Sequence, residues 1–119
     1  MLIARKTDIN AHQGSMISAV YYLYYVDFAG NKTAIDLNGK TVKGQIRPEY
    51  DSTTAYDFEV TITDETMGQI TVYMPANVTA TIPRGPLVYD IEVQDNLNPG
   101  IRFKPQWGNV FMKPEATRI

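Results

Sequence analysis

The sequence predicts an all-β fold, an antiparallel β-sandwich of about seven strands with one short helical turn. Three observations carry this expectation. Segments rich in β-branched and aromatic residues recur along the chain, several alternate apolar and polar residues with a period of two, and clusters of Gly, Asn, Asp and Pro separate them at regular spacing. No segment holds helical periodicity for more than one turn. The 119 residues form one domain, without linker, repeat or low-complexity tract, and are enough for a single core without staples.

"NAHQG", before the tyrosine-rich strand, reads as a polar loop. From Met16 to Val26, "MISAVYYLYYV" is a strand whose apolar residues occupy both faces. Ile17, Ala19, Tyr21, Leu23 and Tyr25 lie on one; Met16, Val20, Tyr22, Tyr24 and Val26 lie on the other. One face serves the core, and the other meets solvent, a neighbouring segment or a partner. "DFAGNKTAIDLNGKT" turns twice, at Gly30-Asn31 and Asn38-Gly39, where positive φ is tolerated. "TVKGQIR" alternates, with Val42, Gly44 and Ile46 inward. "FEVTIT" repeats the pattern with Phe58, Val60 and Ile62, and "QITVYM" with Ile70, Val72 and Met74. "DETMG" turns between the last two.

"PANVTATIP" opens on a proline suited to a first helical turn and closes on one that forbids continuation, so a single turn of helix is expected there. "RGPLVYDIEVQD" is the clearest strand, with Leu87, Tyr89, Ile91 and Val93 inward. After the "NLNPG" turn, the segment from Ile101 to Met112 contains Pro105 and Gly108. A proline cannot donate to a ladder, so an edge position or a bulge is expected.

Composition excludes several classes of function. With no cysteine there are no disulfides, thiolate metal sites or cysteine nucleophiles. A net charge of −2 with eleven scattered basic residues is a poor footprint for nucleic acid. No apolar stretch approaches the ~20 residues that span a bilayer, and "MLIARKTDIN" has no signal-peptide core, so synthesis in the cytoplasm is expected.

Catalytic constellations are also sparse. The single histidine, His12, has no Gly-x-Ser-x-Gly elbow to serve. The carboxylate pairs Glu49/Asp51 and Asp64/Glu65 fall in turns, and Asp90/Glu92 alternates outward on a strand, where solvated acids belong. "TDETMG" offers too few oxygens for calcium, and the sequons at Asn31 and Asn77 are short enough to arise by chance. No catalytic, cofactor or metal site is expected. The tyrosines of the first strand and Trp107 remain. Their outward members suit a protein interface, a plain solvated strand or a carbohydrate platform, since Tyr and Trp join a large apolar area to a polar tip.

The run "IDLNGKTVKGQIRPEYDSTTAYDFEV", then "YDIEVQD", then "GNVFMKPEATR" resembles a family of small phage and prophage tail proteins related to the N-terminal domain of siphophage baseplate upper proteins. The residues that carry it are Ile35-Asp36-Leu37, Gly39, Thr41, Gln45-Ile46-Arg47, Asp51-Ser52, Tyr89-Asp90-Ile91, Gly108 and Pro114-Glu115, spread over nearly the whole chain. The resemblance implies an immunoglobulin-like sandwich acting without catalysis as a docking module in a virion.

The expected function follows. The chain is read as a structural protein of the virion tail or baseplate, an adaptor docking other tail or receptor-binding components and present in several symmetric copies. Two alternatives stay open, a capsid decoration (cement) protein and a carbohydrate-binding module in host adsorption. Tyr22, Tyr24, Trp107, Phe111 and Arg118 are the candidate interface residues, with "KPEATRI" ordered by a neighbour. In "RPEYDSTTAYDF", the resemblance implies a hairpin connection braced by a charge-assisted hydrogen bond between Arg47 and Asp51.

Overall fold

The computed structural model describes residues 4–117. Its strands are β1 (Arg5–Lys6), β2 (Ile9–His12), β3 (Ile17–Tyr22), β4 (Tyr24–Val26), β5 (Lys32–Ala34), β6 (Lys40–Arg47), β7 (Tyr56–Asp57), β8 (Glu59–Asp64) and β9 (Gln69–Met74). A single helical turn, α1 (Ala76–Thr79), precedes the two long strands β10 (Gly85–Asp95) and β11 (Arg102–Lys113). The fold is all-β. A six-stranded sheet runs in the order β1-β11-β10-β6-β7, with β2 following β1 along the same edge of β11. A three-stranded sheet, β3-β9-β8, and the β4-β5 ribbon complete the sandwich.

The alternating segments fold as their pattern dictates. Val42, Gly44 and Ile46 on β6, Ile70, Val72 and Met74 on β9, and Leu87, Tyr89, Ile91 and Val93 on β10 all turn inward and are buried. Val60 and Ile62 on β8 pack half-buried against them. Burying each such aliphatic side chain is worth roughly 1.5–3 kcal/mol. The ring of Phe58 meets Tyr89 edge-on, with centroids 6.4 Å apart.

Four features depart from the sequence reading. Strands β1 and β2 lie where no strand was expected, β2 running into the expected "NAHQG" loop, and both run parallel to β11 in an otherwise antiparallel fold. Ile9 and Ala11 are buried while Asn10 and His12 are exposed, a pattern too brief to register as a strand. The tyrosine-rich strand breaks at Leu23. The Leu23 amide donates to the Gly68 carbonyl at 2.8 Å, and its own carbonyl accepts from Ile35 at 3.0 Å. Gly68 has φ of 65°, and a Cβ there would lie 2.4 Å from the Leu23 oxygen, so only glycine allows this approach.

The break shifts the phase of the tyrosines. Leu23 is buried, Tyr24 is half-buried, and Tyr25, which simple alternation sets on the same face as Leu23, is exposed. Lys32–Ala34, expected within a turning segment, is strand β5, exposed at every residue and therefore silent to hydrophobic patterning. The turn between β4 and β5 is held by Asp27. Its carboxylate accepts from the amides of Asn31 and Ala29 at 2.9 Å each, which keeps its carboxyl below the ordinary range.

β11 is continuous despite Pro105. Ile91 pairs with Gln106 and Val93 with Phe103, so Lys104 and Pro105 together oppose Glu92 in a bulge. The strand that lines the other edge of β11 begins its pairing only at Gln106. The proline thus sits where no ladder needs its missing N–H.

One polar network crosses the core. Gln106, only 1% exposed, accepts from the Arg5 guanidinium at 3.0 Å and donates to the Tyr89 hydroxyl at 3.1 Å. Tyr89 in turn donates to the Thr7 carbonyl. Among the described residues no buried side-chain nitrogen or oxygen lacks a partner. Burial lifts the Tyr89 phenol from an ordinary 10 to about 12. The folded chain therefore keeps a proton that the unfolded chain releases, and stability falls as pH rises from 10 towards 12. Tyr89→Phe should cost about 1–3 kcal/mol by leaving Gln106 and Thr7 unsatisfied. Denaturant melts of both proteins across that pH window check this, with the wild type losing more stability than the variant as pH rises.

Candidate functional site: the outer face of the six-stranded sheet

The inward residues of β10 and β11 leave their neighbours on the opposite face by strand alternation. Register places Trp107 beside Asp90 and Asp90 beside Gln45, then Asn109 beside Val88 and Val88 beside Arg47, with Phe111 beside Pro86. Trp107 and Phe111 are each 38% exposed. They form an apolar stripe with Pro86 and Val88 along one side of this face. The Lys6 ammonium stands 5.8 Å over the Trp107 ring.

Charges occupy the other side. The Lys104 ammonium reaches Asp90 at 3.2 Å and Glu92 at 4.0 Å, and Lys43 pairs with Glu92 across the strands. Arg47 donates to the Gln45 side chain at 2.9 Å, and Gln45 donates to Asp57 at 2.6 Å. These side chains surround a concavity of about 520 Å³, which Tyr50 closes from the loop after β6. Desolvation raises the Tyr50 phenol, and the nearby Asp90 carboxylate adds to the effect.

This face offers apolar area beside charges of both signs, Lys6, Lys43, Arg47 and Lys104 against Asp57, Asp90 and Glu92. Asp90 and Glu92 both face Lys104, and Glu49 and Asp51 lie in the turn after β6. No group of three or more His, Asp or Glu that could hold a metal converges among the described residues.

The expected bond between Arg47 and Asp51 does not form. Arg47 donates instead to the Ser52 carbonyl, and Asp51 is exposed in the turn. The turn closes through the Ser52 amide, which donates to the Glu49 carbonyl at 3.0 Å. With that turn closed, a backbone carbonyl lies nearer the guanidinium than the neighbouring carboxylate does.

The candidate interface residues fall on separate surfaces. Trp107 and Phe111 share the outer face of the six-stranded sheet. Tyr22 lies on the outer face of the three-stranded sheet, where Gln69 donates to its hydroxyl at 3.1 Å. Tyr24 stands between them. Its ring lies 5.2 Å from the Arg5 guanidinium and 4.9 Å from the Lys32 ammonium. Arg5 also donates to its hydroxyl at 3.1 Å, and this bond, with both cations nearby, lowers the Tyr24 phenol. Tyr24 is thus engaged within the chain. Arg118 lies outside the described residues. The segment preceding it, after Lys113, continues alongside residues 13–14, so that Glu115 lies against Gly14.

Sequence reasoning missed Tyr50, Lys43 and Lys104 as parts of this face. The outward phase of "KGQIR" and of "YDIEVQD" was readable, but not that the two strands are neighbours in one sheet. Neither a protein-family model nor any curated protein matches the chain.

Arg47→Ala should destabilise the protein by about 1 kcal/mol, since a charged donor to Ser52 and Gln45 is lost. Asp51→Asn should leave the melting curve unchanged. Equal losses in the two variants would restore the expected Arg47–Asp51 bond.

Proposed function

We propose that the chain is a non-enzymatic structural protein of a virion, an adaptor at the tail or baseplate that docks other tail or receptor-binding components. The observation that carries this reading is the outer face of the six-stranded sheet. Two long neighbouring strands hold Trp107, Phe111, Pro86 and Val88 beside charges of both signs, which is the composition of an apolar interface core with a polar rim.

The strand order supports the immunoglobulin-like part of the reading. β11-β10-β6 matches the G-F-C order of that sandwich and β3-β9-β8 matches its B-E-D order. The residues that carry the family resemblance also have structural work in this chain. Ile35, Leu37, Ile46, Tyr89 and Ile91 are core, Arg47 braces a turn, and Gly108 admits the Thr7 backbone, which a Cβ there would meet at 2.2 Å. They support a shared fold, and the exposed stripe supports the docking role.

A second reading, a carbohydrate-binding module, draws on one observation. Tyr50 lines a polar concavity on the outer face of the sheet, and Trp107 is the cross-strand neighbour of Asp90, another of its lining residues. That reading predicts that soluble glycan quenches the single tryptophan.

Cryo-electron microscopy of purified particles tests the adaptor. The chain is expected in symmetric copies on the tail, with Trp107 and Phe111 buried against a neighbouring protein. Density on the capsid shell would make it a cement protein, and absence from the particle would overturn both structural roles. Trp107→Ala combined with Phe111→Ala should leave the fold intact and abolish incorporation, read as loss of the chain from particles assembled with the variant.

A further inference from the structure

The geometry points to a symmetric dimer in which β3 pairs edge to edge with β3 of a second copy, joining two three-stranded sheets into one of six. It goes beyond the docking face on the opposite sheet and does not depend on it. β3 pairs with β9 along its whole length, and no hydrogen bond to its other edge exists among the described residues. The N-terminal strands could have covered that edge, but they pair with β11 instead. A groove of about 330 Å³ separates β2 from β3 and keeps the edge open.

Ladder parity identifies the exposed groups. The register of β3 and β9 continues from Tyr22↔Gln69 to Leu23 and Gly68, where the Leu23 amide donates to Gly68. In an antiparallel ladder alternate residues point their N–H and C=O to the same side. Tyr21, Ala19 and Ile17 therefore bond β9, while Ser18, Val20 and Tyr22 direct theirs to the open edge.

The edge lacks every device that normally blocks pairing. From Ser15 to Val26 there is no charge and no proline, and β3 contains no bulge. Three other border strands are charged: Arg5 and Lys6 on β1, Asp57 on β7, Glu59 and Asp64 on β8; β2 is uncharged but holds only four residues. Met16, Val20 and Tyr22, at 64%, 51% and 51% exposure, add an apolar row along the open strand.

The occupant that fits is the same strand. A two-fold axis through Val20 sets Ser18 opposite Tyr22 of the second copy and Val20 opposite its own equivalent. On the inner face it sets Ala19 opposite Tyr21. Each large side chain meets a small one, no like charges are opposed, and the residues with outward backbone groups fall on hydrogen-bonded pairs. An isologous contact of this kind closes on itself and stops at two.

The test is the mass of the isolated chain by light scattering over a micromolar concentration series, with amide hydrogen exchange on the same samples. A dimer is expected, in which the amides of Ser18, Val20 and Tyr22 gain protection as concentration rises, while those of Ile17, Ala19 and Tyr21 are protected throughout. Val20→Pro and Val20→Lys should each weaken self-association by at least about tenfold with the melting transition retained. Val88→Lys, on the other sheet, should leave it unchanged. A monomer at every concentration overturns the inference and leaves the adaptor reading standing. A dimer indifferent to both Val20 substitutions also overturns it; should Val20→Pro fail to fold, Val20→Lys decides.

Discussion

The buried amide of Gln106 is the constraint on which the architecture turns. A side-chain amide in the core of a sandwich is tolerable only when both its ends are bonded. Here Arg5 supplies the donor and the Tyr89 hydroxyl supplies the acceptor, while the hydroxyl's own proton goes to Thr7. Two of these three partners belong to the N-terminal segment. That segment must therefore lie along β11, where the Thr7 amide donates to the Trp107 carbonyl at 2.8 Å and Asp8 accepts from the Asn109 amide at 2.9 Å. Gly108 is the matching concession in β11, since any side chain there would collide with the Thr7 backbone.

Two consequences run outward from this. Because β1 and β2 join the six-stranded sheet, β11 is an inner strand, so its outward residues Trp107, Asn109 and Phe111 stand on a rigid, laterally supported surface. The same allegiance leaves β3 at the border of its sheet. The open edge at Val20 and the laterally supported face at Trp107 are thus products of one topological choice.

Legibility in the sequence followed the length of each pattern and the range of its cause. β6, β9 and β10 were readable because each has one buried face and at least three inward residues with none charged, so the period of two is unambiguous. β1, β2 and β5 hold two to four residues, fewer than pattern analysis can resolve. The phase slip at Leu23 was hidden for another reason. Its cause is Gly68, in a turn distant along the chain, and a uniformly apolar run shows no change when its phase changes. In the candidate site, the shared face of Trp107 and Phe111 follows from their even spacing on one strand. The partner of Arg47 did not follow from residue types, because it is a backbone carbonyl.

The charge pattern of the two surfaces argues for a division of labour between them. Pairing through backbone groups on an uncharged edge needs little beyond an extended partner, so it discriminates weakly and depends on close self-fit of side chains. A face that mixes an aromatic stripe with Lys104, Asp90, Glu92, Lys43 and Arg47 discriminates strongly, since a partner that misplaces one charge leaves another desolvated and unpaired. Self-association suits the first surface, where the partner is fixed by symmetry. Recognition of a different protein suits the second. Within that face Lys104 already pairs with Asp90 and Glu92, and Gln45 already bonds Arg47 and Asp57, so most of its charges have partners in the isolated chain.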